Sequence, residues 1–469
     1  MKKPAFRLPL LALMLAFSIH SFGQSSQRYD ITYVLHGTRD TMAWLCQVYG
    51  GEVVAVDSCY LKGDTAIFKG ETPLQHGVYK IVFNDTLFTD IIFTGEVTVL
   101  ESTTPYIIDR MQVHRSEENR LLFDYWRYYF RIQDTLDDVI ARGRKIYYAN
   151  QGKPSRELDL LEQRSDTLDK RKFDYVLKLK QDYPGMLAPK LIWAFQKPDY
   201  RFYLVHGGEP WPTEESWYRA HFFDRLDFGD SRMLYTEVLQ VMINDYMRSF
   251  GQTPSTETYI SLTEDVLQKA KVNPVVYQYC IDLFIKNFEV GVWEQVFIHL
   301  IENHYLKSPL ANPTLQKVYR QRVEAIRNTT IGNLIPEVCG TTPEGTKACL
   351  LEELGTRTLL VFWSPGCEHC EAILPDLVKV NQQYKEKGLK IYGFAFADTQ
   401  DTLQQTIRKF GLDFINVSDY KGLVSNVLDQ FNITVTPVML LLDENGVITD
   451  KPLNIPTLYA NLVIRYREQ

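Results

Sequence analysis

The stretch Val361-Phe362-Trp363-Ser364-Pro365-Gly366-Cys367-Glu368-His369-Cys370 decides the reading of this chain. The apolar run from Thr358 to Trp363 has the character of a strand buried on both faces. Ser364-Pro365-Gly366 supplies turn residues, and a C-x-x-C then opens a helix. A zinc knuckle would need a second ligand pair, and Cys339 and Cys349 are too widely spaced, with no neighbouring His, to supply one. The motif therefore reads as a redox pair, with no metal and no cofactor beyond the Cys367–Cys370 disulfide itself.

Two intervening residues let the sulfurs meet across one helical turn. Cys367 falls at the helix N-terminus, where unpaired N–H groups and the macrodipole favour a thiolate, so it is expected to be the nucleophile. Cys370 lies one turn further in and is expected to resolve the mixed disulfide. Glu368 and His369 tune the pair in opposite directions, a carboxylate disfavouring the thiolate and a protonated His favouring it.

Outward from this motif, residues 331–469 alternate strand and helix, the order of an α/β domain. Short strands are expected at Val338–Gly340 and Ala348–Leu350, with further strands at Lys390–Phe396 and Phe414–Val417. Helices fit Thr399–Phe410 and Leu423–Phe431, and Val438–Leu442 and Val447–Thr449 form a hairpin around Glu444-Asn445-Gly446. The segment resembles the TlpA/ResA branch of the thioredoxin superfamily. Trp363 matches the aromatic at the end of the central strand, and Pro375 stands five residues after Cys370, where the family's active-site helix is kinked. Thr436-Pro437 matches the cis-proline loop, whose free backbone pairs with a bound substrate strand. One departure is Val361, at a position where many thioredoxins carry a buried Asp; the proton acceptor for Cys370 is thereby left unassigned. The resemblance implies a thioredoxin fold, protein thiol and disulfide substrates, and a membrane electron donor for a reductase.

Upstream, residues 24–104 show short alternating apolar runs separated by turn signals, the pattern of an antiparallel β-sandwich-like domain. Residues 105–330 switch to three- and four-residue spacing, in stretches such as Glu118–Gln133 and Met233–Met247, and read as an all-α domain. The string from Tyr218 to Asp224 and the later Asp227-Phe228-Gly229-Asp230 resemble uncharacterised domains found ahead of TlpA-like domains in Gram-negative envelope proteins. Residues 1–23 read as a cleavable signal peptide: Met1-Lys2-Lys3, an apolar run from Leu8 to Phe17, and small residues at Ser21 and Gly23. The expected location is the periplasm or cell envelope, with no transmembrane segment in the mature chain.

At 469 residues the chain has room for about three domains, and its net charge of −7 argues against nucleic-acid binding. In an oxidising compartment Cys46 with Cys59, and Cys339 with Cys349, could each bridge or stand as buried unpaired cysteines; Cys280 reads as a small core residue. His299 with His304, and His221 with Asp224, read as helix-face residues and not as metal ligands. The leading function is an exported thiol–disulfide oxidoreductase. A peroxiredoxin-like peroxidase fits less well, because Leu360 stands where such enzymes carry a Pro, although Ser364 could replace their Thr. A third reading is an envelope binding or scaffold protein whose upstream segments capture a partner, with the redox pair as an accessory.

Overall fold

The computed structural model describes residues 29–205, 207–289 and 293–467, so the expected signal peptide lies outside the described residues. The chain divides into two compact units: one runs to Pro254 and includes Glu264–Tyr277, and the other comprises Ser255–Thr263 and everything from Gln278.

The first unit begins with eight strands: β1 (Tyr29–His36), β2 (Met42–Tyr49), β3 (Glu52–Tyr60), β4 (Thr65–Gly70), β5 (Gly77–Asn84), β6 (Leu87–Phe93), β7 (Thr98–Thr103) and β8 (Gln112–Arg115). They form two four-stranded sheets, ordered β4-β1-β7-β8 and β3-β2-β5-β6. Alternate residues of both, among them Ile31, Tyr33, Leu45, Phe68, Tyr79 and Ile81, meet in one apolar core. Two features depart from the expected antiparallel sandwich. The β1–β7 pair is parallel, and β8 lies beyond residue 104, where its four mostly exposed residues are too few and too polar to register as an alternating strand.

Helices follow: α1 (Glu117–Ala149), α2 (Arg156–Asp182), α3 (Leu187–Ala194), α4 (Tyr200–Val205), α5 (Glu214–His221), α6 (Val238–Phe250), α7 (Thr256–Ala270), α8 (Pro274–Phe288), α9 (Glu294–Asn303) and α10 (Pro313–Arg327). The 33-residue α1 starts where the Ser116 hydroxyl accepts from Asn119 N–H. Its first turn carries two buried polar side chains that tie neighbouring elements together. Glu118 accepts from the free N–H groups of Leu187 and Ala188 at 2.8 and 2.7 Å, capping α3. Asn119 accepts from Ile92 N–H at 2.9 Å and donates to Ile92 C=O at 2.7 Å. The expected helix over Met233–Met247 is instead a short 3₁₀ turn, Ser231–Tyr235, followed by α6.

The C-terminal part of the second unit is built from β9 (Cys339–Thr341), β10 (Lys347–Cys349), β11 (Arg357–Trp363), α11 (Glu368–Tyr384), β12 (Leu389–Ala395), α12 (Gln400–Phe410), β13 (Ile415–Val417), α13 (Asn426–Gln430), β14 (Val438–Asp443), β15 (Ile448–Asp450) and α14 (Ile455–Arg467). Its five-stranded sheet has the order β13-β12-β11-β14-β15, with β12 parallel and β14 antiparallel to the central β11. Both faces of β11 are covered. Leu359, Val361 and Trp363 pack with α11 and α14 residues on one side, while Leu360 and Phe362 pack with Tyr392, Phe394 and Phe431 on the other. α14 has no clear signal in the sequence, and its Leu458 and Leu462 complete the first of these cores. Among the described residues no helix is long and apolar enough to cross a membrane.

Candidate functional site

β11 delivers the site. Past Trp363 the chain turns through Ser364 and Pro365 to Gly366, whose φ of +76° suits glycine, and Cys367 becomes the N-cap of α11. The turn is tied down from two sides. Phe396 N–H donates to Trp363 C=O at 2.8 Å. Gly366 N–H donates to Glu371 at 3.2 Å, and the other oxygen of that carboxylate pairs with Lys409 at 2.7 Å. Glu371 did not stand out in the sequence; its only signal is its place in the first turn after the C-x-x-C.

The two cysteines occupy different surroundings. The Cys367 sulfur is partly exposed, whereas Cys370 is fully buried among Val361, Trp363, Leu374 and Leu377. Both are free thiols. Partial burial works against ionisation of Cys367. It is outweighed by the Cys370 thiol and backbone N–H, the Thr436 hydroxyl and the His369 backbone N–H, which hold the Cys367 pKa below an ordinary thiol. Burial pushes Cys370 up to about 11.

Thr436 faces the pair from the loop before β14. Its hydroxyl donates to the Cys367 sulfur at 3.7 Å, and its carbonyl lies 3.7 Å from the same sulfur as an acceptor for the thiol. The Thr436–Pro437 bond is cis. Glu368 and His369 both point into solvent, so either can touch a docking partner more readily than the buried sulfur. Pro375 lies inside α11. Trp363 is completely buried, and its Nε1 and the Asn416 Oδ1 lack partners. A Cβ added to Gly393 would come within 3.1 Å of the first and 2.5 Å of the second, so only glycine leaves them this space. Val361 is buried in the same apolar cluster as Cys370, and no carboxylate stands at that position.

The other cysteines divide. Cys339 and Cys349 are directly opposed in the β9–β10 hairpin and form a disulfide. Cys46 and Cys59 are free, because Cys46 opposes Ala55 and Cys59 opposes Ala43 in the β2–β3 register. Cys280 is a buried free thiol whose pKa burial raises to about 12. His221 Nδ1 lies 2.6 Å from Asp224 Oδ2 on one helix end, against Trp217.

Residues 331–451 match the AhpC/TSA family, and residues 212–329 match a domain of unknown function, DUF5106. The C-terminal domain is thioredoxin-like. It is 35% identical over 103 residues to the thiol-disulfide oxidoreductase ResA of Halalkalibacterium halodurans, which covers 22% of this chain and 57% of that protein. It is 27% identical over 121 residues to ResA of Bacillus cereus, covering 26% of this chain and 68% of that protein. The chain thus spans little more than half the length of the first of these relatives. A solved thioredoxin-like protein from Bacteroides caccae aligns at 19% identity with a TM-score of 0.43, covering 53% of this chain and 92% of its own.

Proposed function

We propose that this protein exchanges disulfides with other proteins through Cys367 and Cys370, in the direction of client reduction. The observation that carries the reading is the asymmetry of the two sulfurs. One is accessible, at a helix N-cap, with its pKa lowered; the other is buried, with its pKa raised to about 11. The Cys367 thiolate attacks one sulfur of a client disulfide, forming a mixed disulfide and releasing the other client sulfur as a thiolate that takes up a proton. Cys370 then gives up its proton and attacks the Cys367 sulfur. The second client sulfur leaves as a thiol, and the Cys367–Cys370 disulfide remains. Two electrons and two protons have passed to the client, so each further turnover needs an external dithiol donor, which we place at a membrane by resemblance to ResA.

Thr436, Pro437 and the exposed Val435 are the parts of the facing loop we assign to contact with client backbone. Glu368, His369 and Trp363 are assigned to tuning, and Pro375, inside α11, to kinking that helix. Export to the periplasm or cell envelope is supported by the leader-like first 23 residues and by the Cys339–Cys349 disulfide, which suits an oxidising compartment.

The test is insulin reduction by the full chain with dithiothreitol as donor, followed as precipitation of the released B chain. Turnover that disappears in Cys367→Ser and gives way to an accumulated mixed disulfide in Cys370→Ser supports the reading. Undiminished turnover in Cys367→Ser contradicts it. Peroxide consumption at a comparable rate, dependent on Cys367, would favour the peroxidase reading instead.

A further inference from the structure

Among the described residues β6 is the last strand of its sheet, paired on one side, to β5. The side on which each of its residues directs its backbone polar groups follows from Asn119. That side chain takes both the N–H and the C=O of Ile92, so Ile92 faces away from β5. In an antiparallel strand the direction alternates, so Asp90 and Phe88 also direct their N–H and C=O groups away from the sheet. The Asn119 amide thus completes one rung of a missing neighbour strand, and the next two rungs stand open.

Those two rungs border a hollow of about 600 Å³. Its opposite walls are the segment after Pro105 and the face of α1 that carries Phe123, Trp126 and Phe130. Three of the aromatics around it are well exposed: Phe88 at 49%, Tyr106 at 59% and Phe130 at 39%. Three carboxylates, Asp90, Asp109 and Asp134, also line it, against two cations at its margin, Lys80 over the Phe88 ring and Arg110 over the Tyr106 ring. Asp90 is already paired with Lys80, which leaves Asp109 and Asp134 as the uncommitted charges among the lining side chains.

We infer that this groove binds an extended segment of another polypeptide, added as a strand to the open edge of β6, with lysine or arginine side chains alternating with apolar ones. Only a peptide backbone offers donors and acceptors at the spacing of the open rungs, and an unpaired strand edge is a template for such pairing. The aromatic walls take the apolar side chains, and Asp109 and Asp134 take the cations. The site lies in the first unit and uses no cysteine, so it stands or falls apart from the redox reading.

The test is fluorescence anisotropy of the full chain with a fluorescein-labelled seven-residue peptide alternating lysine and valine, beside a twin N-methylated at alternate residues along one backbone edge. The expected result is saturable one-site binding, weakened at least about tenfold by N-methylation on the edge that pairs, because the methyl removes the donor and blocks the approach. Asp109→Asn with Asp134→Asn weakens binding several-fold and flattens its salt dependence. Asp90→Pro deletes an outward N–H without breaking the β5 ladder, as edge strands tolerate. It should bind less well than Asp90→Asn, which loses the charge alone. Equal binding of peptide and methylated twins on either edge, equal binding by Asp90→Pro and Asp90→Asn, or no binding by the unaltered chain would each overturn the proposal. If Asp90→Pro fails to fold, the methylated twins decide.

Discussion

The second unit carries two cysteine pairs with opposite designs. Cys339 and Cys349 sit opposite each other on paired strands, ten residues apart in sequence, and are joined. Cys367 and Cys370 share one helical turn, and one sulfur is partly exposed beside a hydroxyl and N–H groups, while the other is buried among apolar side chains, where burial outweighs its contacts with the Thr436 hydroxyl and the Ser364 backbone. The first pair has two similar sulfurs locked by a hairpin; the second has two dissimilar ones. On the proposed function, what makes a cysteine pair reactive is the difference between its sulfurs and not their proximity.

The sharpest break between the pairs is activity. Cys367→Ser should lower insulin reduction on the order of a thousandfold or more, to background, as loss of a nucleophile does. Cys370→Ser should also stop turnover while leaving a single attack intact, and non-reducing electrophoresis should then show client bound through Cys367. Removing the other pair should do the reverse. Cys339→Ser with Cys349→Ser should cost roughly 2–3 kcal/mol in urea unfolding, the range for a loop this short, and leave turnover within about twofold. A large loss of turnover in that double variant would mean that the hairpin pair joins the redox cycle. The smallest effect is at the loop: Thr436→Val removes the hydroxyl that donates to Cys367 and should slow its alkylation at neutral pH roughly threefold, in keeping with one modest hydrogen bond.

The C-terminal domain was legible because its signals are local. A six-residue apolar strand, a turn with glycine and a C-x-x-C lie in one continuous string, and Pro375 and Thr436-Pro437 are recognisable without knowing what they touch. What stayed hidden depends on partners distant in sequence. The amide of Asn119 on Ile92 spans 27 residues, and the carboxylate of Glu118 at the start of α3 spans about 70; neither residue type signals such a role inside a helix pattern. The choice between bridged and free cysteines was equally non-local, since it turned on register: β9 and β10 place two cysteines face to face, while β2 and β3 place each of theirs opposite an alanine. The C-terminal α14 went unread because its apolar positions, among Tyr459, Val463 and Ile464, run nearly all round the helix and leave no clear polar face.

Cys367 and Cys370 should ionise in separate pH ranges, the first below an ordinary thiol and the second above it. The direct measurement is the rate of iodoacetamide labelling of each cysteine in the reduced full chain from pH 4 to 11, resolved by peptide mass. Cys367 should label with a midpoint below that of an ordinary thiol, its reactivity rising with pH as the thiolate forms. Cys370 should stay protected until the pH nears 11. A shared midpoint, or Cys370 labelling first, would contradict the assignment of nucleophile and resolving thiol.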